Sequence, residues 1–124
     1  KRNYDMVVLP GGLPGADNLN QDSRIHDLLH KTSANNGYTA AICAAPKVLA
    51  SAGLLEGKQA TSFPGALDEM QVSGMKLVNS PVVKDGNVIT SRGPGTAMDF
   101  ALELIELLVG SSKREEVEAA LQRP

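Results

Sequence analysis

The sequence predicts a mixed α/β domain built on a mostly parallel sheet with helices on both faces. Three observations carry this. Short continuous apolar runs such as MVVL (6–9) stop on turn residues, as strands buried on both faces do. These runs alternate with stretches whose apolar residues recur at helical spacing. No linker, repeat or low-complexity segment divides the 124 residues, so a single domain is expected over residues 1–124.

The elements follow in order. MVVL ends at Pro10-Gly11-Gly12 and reads as a fully buried first strand. Asp22 or Ser23 is placed to cap a helix carrying Ile25, Leu28 and Leu29, which fades at Asn35-Asn36-Gly37. TAAIC (39–43) reads as a second buried strand, APKVLASAGLL (45–55) as a helix, and KQATSF (58–63) as a third strand. Around Asp85-Gly86 the short apolar runs of KLVNSPVVKDGNVIT predict a hairpin. Thr96 stands at the cap of the clearest helix, whose apolar face is Phe100, Ala101, Leu104, Ile105 and Leu108 and whose stop is Gly110. Ser112 with Glu115 reads as a capping box opening a last helix through Leu121.

Composition excludes several function classes. Twelve basic against 14 acidic residues, a formal charge of −2, give no field for a phosphate backbone, so nucleic acid is not an expected partner. Only Tyr4, Tyr38, Phe63 and Phe100 are aromatic, too few for a base-stacking platform. No apolar run approaches the ~20 residues that span a bilayer, so no membrane partner is expected. One cysteine forms no intramolecular disulfide, which fits a reducing cytoplasm.

In a parallel sheet, ligands gather at the carboxyl ends of the strands. Two strand-to-turn points, Gly11-Gly12 and Cys43, fall there and are expected on the same edge. Cys43 sits where a nucleophile elbow would lift it over the sheet, with small Ala41, Ala44 and Ala45 around it and Pro46 in the next helical turn. The start of that helix would favour a thiolate. Free cysteine is also among the most buried residue types, so this pattern alone leaves a packed thiol equally open.

GGLPG (11–15) is neither a dinucleotide fingerprint nor a P-loop. It reads as a turn first, and as bare backbone N–H groups facing an anion only if Cys43 lies beside it. SRGPGT (91–96) reads first as a tight connection, with an anion site beside Arg92 as the other reading. His26 and His30 share a helix face, yet lack the glutamate of H-E-x-x-H and a third ligand, so a solvated face is expected and no metal. Lying mid-helix, they also fail to supply a Cys-His dyad.

YDMVVLPGG (4–12), AAICAAP around Cys43, and ITSRGPGT (89–96) followed by a DFALELI helix together resemble the ThiJ/PfpI superfamily. Within it they are most similar to the YajL-like branch that includes the parkinsonism-associated deglycase. The resemblance implies a flavodoxin-like three-layer α/β sandwich, a homodimer, and an elbow cysteine at Cys43. It places the backbone amides of an oxyanion pocket at Gly12 and Ala44, with Gly11, Phe63 and Arg92 around the pocket. It implies cofactor-free conversion of methylglyoxal or glyoxal to hydroxy acids, repair of glycated proteins, and protection against oxidative stress, including chaperone-like activity. A redox-sensing chaperone that uses Cys43 oxidation without turnover is the alternative.

Two departures stand out. The family domain begins upstream with a β-α-β portion bearing a proton-transfer glutamate, so this chain reads as the C-terminal two thirds, the rest being missing or a separate chain. Phe63 stands where the disease-associated member has a histidine, and Ala44 stands where the PfpI peptidases have theirs, which argues against peptidase activity.

Overall fold

A computed structural model describes residues 4–12, 15–68 and 70–122. In chain order the elements are β1 (Met6–Leu9), α1 (Gly15–Asn20), α2 (Ser23–Ala34), β2 (Tyr38–Ile42), α3 (Pro46–Ser51), β3 (Gln59–Ala60), β4 (Lys76–Leu77), β5 (Val82–Asp85), β6 (Val88–Ser91), α4 (Ala97–Val109) and α5 (Ser111–Leu121). The main sheet runs β1-β2-β6-β5, with β1, β2 and β6 parallel and β5 antiparallel on β6. Strands β3 and β4 form a separate two-stranded parallel sheet.

Alternation along β2 assigns the layers. Ala41 packs with Leu9, Val88, Leu29 of α2 and Val48 and Leu49 of α3, while Ala40 packs with Ile89 and Phe100 of α4. Helices α2 and α3 therefore cover one face and α4 the other, because successive strand residues point to opposite sides. Alanines at 40 and 41, both fully buried, let helices approach the sheet closely from both sides. Helix α5 packs back on α4, where Arg114 Nη1 reaches Glu103 at 3.2 Å and Glu106 at 3.1 Å.

Several sequence expectations hold and several need correction. The first strand has the expected bounds but is not fully buried: among the described residues β1 pairs with β2 alone, and Val8 is 44% exposed on the face that α4 covers further along. The expected strand over 58–63 contracts to Gln59–Ala60, because Thr61 turns its N–H to the Thr90 hydroxyl at 2.9 Å and leaves the ladder. The helix expected over 45–55 ends at Ser51 and continues as turns. The hairpin is present, with Gly86-Asn87 as its two-residue loop between paired Asp85 and Val88. Helix α5 opens at Ser111, one residue before the expected Ser112 box, with Gly110 as its cap.

Thr96 occupies the cap position of α4 without capping it. Its hydroxyl is committed to Gly93 and Ser91 instead. On the expected face of α4, Phe100 is buried, while Ala101 and Leu108 are exposed. Among the described residues, no helix is long and apolar enough to cross a membrane.

Asp22 caps α2 as expected, accepting from Arg24 N–H at 2.9 Å, and the Arg24 side chain pairs with it at 2.8 Å. The Arg24 side-chain hydrogen bonds, then its backbone N–H, lower the Asp22 carboxyl from 3.8 to about 2. A carboxyl held below its unfolded value adds stability above the unfolded pKa and loses it as pH falls through the folded one. An NMR titration of Asp22 should therefore show a midpoint at about 2. A midpoint at the ordinary carboxylate value would mean that the cap is not formed. In the core, Leu49 is fully buried, so Leu49→Ala should cost about 2–5 kcal/mol in urea unfolding of the intact protein.

Candidate active site

The site is built on the turn from β2 into α3. Cys43, the first residue after β2, has φ 65°, in the left-handed region that side-chain-bearing residues rarely adopt. Two backbone hydrogen bonds hold it there. Its N–H donates to Ser91 O at 3.0 Å, and its carbonyl accepts from Phe63 N–H at 2.8 Å. The turn closes with Ala45 N–H on Ile42 O at 3.1 Å, and Pro46 then opens α3, where a missing N–H is harmless. Ala45 and Pro46 are buried, while Cys43 and Ala44 are half-buried and reachable from outside. Strand β2 thus ends in an elbow that presents the thiol at the carboxyl edge of the sheet, where sequence reasoning placed it.

Gly11 lies directly against this elbow. A Cβ at Gly11 would fall 2.4 Å from Cys43 Cβ and 2.8 Å from Ile42 O, so only glycine lets the two turns touch. Sequence reasoning expected the juxtaposition from topology; the structure gives its steric reason. Gly12 follows at φ 94°, exposed, and its carbonyl accepts from Ala16 N–H at 2.9 Å to start α1. The Leu13-Pro14 part of the GGLPG turn lies outside the described residues. Among the described residues, neither Gly12 N–H nor Ala44 N–H donates to a backbone carbonyl. Two amides on neighbouring turns are thereby left to a ligand or to water.

Phe63 and Arg92 flank the elbow through the chain. Phe63 supplies the N–H that holds the Cys43 carbonyl, and its half-exposed ring lies against Gly93. Arg92 follows the residue that accepts the Cys43 N–H and lines a cavity of about 210 Å³ with Thr61, Ser62, Asp68, Leu77 and Asn79. Ser91 was not singled out from sequence, yet it anchors both Cys43 and the next turn. Its hydroxyl donates to Pro81 O at 2.7 Å and pairs with the Thr96 hydroxyl at 2.7 Å, and Thr96 in turn bonds Gly93 N–H and O. The ITSRGPGT string was the only signal for it.

The histidines stay out of the site. His26 Nε2 lies 2.8 Å from Asn20 O, and His30 Nε2 bonds Ala52 O. Among the described residues no three His, Cys, Asp or Glu side chains are placed to hold a metal ion.

Comparison with known proteins matches the DJ-1/PfpI family profile to residues 1–107. Drosophila melanogaster protein dj-1beta is 47% identical over 118 residues, 95% of this chain and 63% of its own length. A Caenorhabditis elegans protein named glutathione-independent glyoxalase DJR-1.2 is 38% identical over 90% of this chain and 59% of its own. The crystal structure of Drosophila melanogaster DJ-1beta superposes with a TM-score of 0.91 at 46% identity, covering 98% of this chain and 66% of that one. The chain therefore spans under two thirds of these relatives' length, and its fold is the flavodoxin-like α/β sandwich they share.

The contact at Gly11 gives a test. Gly11→Ala drives a methyl into Cys43 Cβ and the Ile42 carbonyl and should cost about 1–3 kcal/mol in urea unfolding of the intact protein. Gly15→Ala, with nothing within 4 Å of its added Cβ, should be close to neutral.

Proposed function

The chain belongs to the DJ-1/PfpI family, and from that premise we propose that it carries the nucleophile half of a cofactor-independent glyoxalase or deglycase site. The observation that supports this is the Cys43 elbow, held at positive φ against Gly11, with the amides of Gly12 and Ala44 donating to no backbone carbonyl among the described residues.

In this mechanism the Cys43 thiolate attacks the aldehyde carbon of an α-oxoaldehyde and forms a hemithioacetal. The Gly12 and Ala44 amides donate to the oxygen that becomes anionic, the position at which preorganised donors lower a barrier most. A proton then leaves the former aldehyde carbon and returns on the neighbouring carbon, turning the ketone into an alcohol and the hemithioacetal into a thioester. Water cleaves the thioester to the 2-hydroxy acid and returns the thiol. The proton carrier is assigned to a carboxylate beyond residues 1–124, in the length of the relatives that this chain does not span. Phe63 carries no exchangeable side-chain proton and takes no part in this transfer. The worm relative named a glutathione-independent glyoxalase supports the substrate class.

The second reading, a redox sensor with chaperone activity, rests on the same half-exposed thiol. Peroxide would take it to sulfenate and then sulfinate, an anion that suits the same two amides.

In the intact protein, Cys43→Ala should lower conversion of methylglyoxal to lactate by at least ~10³-fold. Retained turnover would exclude Cys43 as the nucleophile. A wild-type protein that makes no lactate but adds two oxygens at Cys43 under mild peroxide would favour the sensor.

A further inference from the structure

We propose that the Asp17–Lys47 ion pair is a positioning clamp that holds the Gly11-Gly12 loop in register with the Cys43 elbow; the inference builds on the catalytic reading above. Lys47 lies in the first turn of α3, directly after the elbow, and Asp17 lies in the first turn of α1, directly after the glycine loop. Lys47 Nζ pairs with Asp17 Oδ1, so the two segments that carry the oxyanion amides and the thiol are tied by their following helices.

Three observations give the pair this role. First, a cation in the opening turn of a helix opposes the helix dipole, so nothing local to α3 favours a lysine at 47. A residue that breaks a local rule points to a requirement elsewhere, and here the charge is met across the groove by Asp17, itself well placed at the start of α1. Second, α1 has only six residues, too few to hold its own position. Its apolar anchors on the core are Ala16 and Leu19, and apolar contact is non-directional, so the ion pair adds a directional tie to the packing of α1 on α3. Third, α1 begins on Gly12 itself, through Ala16 N–H to Gly12 O at 2.9 Å, so a shift of α1 moves the Gly12 amide. The Lys47 side chain is 23% exposed and that of Asp17 48%, so the pair is half open to solvent and its contribution is that of a partly screened bridge.

The test uses the intact protein with Asp17→Asn, Lys47→Met, and the reversed pair Asp17→Lys with Lys47→Asp. Amides that act on the oxyanion contribute in the transition state, so the loss belongs in kcat. Each single variant should lower kcat for methylglyoxal about fivefold with KM nearly unchanged, and the reversed pair should restore kcat to within about twofold of wild type. The clamp is overturned if the single variants turn over at the wild-type rate, or if the reversed pair is no better than either single. It is also overturned if the two singles move kcat in opposite directions, which would mark a field effect of Lys47 on the thiol. Thermal melts on all four proteins separate positioning from stability, and a lower melting temperature at unchanged kcat counts against the clamp. If wild type turns over no methylglyoxal, the catalytic reading fails and the clamp is judged on sulfinate formation at Cys43 under peroxide, read by intact mass. Slower formation in both singles with recovery in the reversed pair supports it, and equal rates in all four overturn it.

Discussion

The two backbone hydrogen bonds of Cys43 are the constraint on which the rest of the site depends. One reaches β6 at Ser91 and the other comes from Phe63, so the elbow is fixed by segments far from it in sequence. Neither bond involves the thiol, which leaves the sulfur free for chemistry while its backbone is held on both sides. The Ser91 end is itself braced, because the Ser91 hydroxyl joins the Thr96–Gly93 turn to Pro81. A buried backbone group that lost its partner would cost roughly 1–3 kcal/mol, so the elbow and the ITSRGPGT turn stand or fall together.

Around that constraint the packing is arranged for close approach. Ala40 and Ala41 bring α4 and α3 down onto β2 from opposite faces, and Gly11 lets β1's turn come against Cys43. The small residues of AAICAAP thus serve two purposes that sequence inspection merges into one. Some make room for helices, and others make room for the neighbouring turn. Larger side chains would separate the layers before they touched the thiol.

Much of this was legible in local pattern. The first strand, the α2 cap at Asp22, the Gly86 hairpin and the end of β2 at Cys43 each rest on residues adjacent in sequence, where periodicity and turn chemistry act. What escaped was set by distant partners. The third strand was read too long because nothing at 61–63 shows that Thr61 will turn to Thr90. Thr96 has the sequence of a cap, but Ser91 and Gly93 take its hydroxyl once β6 places them beside it. Val8 reads as buried because its run is apolar, and only the strand order reveals it at the sheet edge. Gly11 was legible as a turn glycine on the same edge as Cys43, whereas the Cβ-to-Cβ closeness that excludes any side chain at 11 was not. Local pattern left Cys43 evenly balanced, and the nucleophile role proposed above draws on motif, geometry and family together.

The backbone of Cys43 also bears on how such a site persists. A left-handed conformation costs an ordinary L-residue roughly 1–2 kcal/mol relative to glycine, and Cys43 holds one at φ 65°. Glycine at 43 would relax that strain and remove the thiol. The nucleophile proposed above therefore sits on a backbone that suits glycine better, the pattern expected of a stability–activity trade-off.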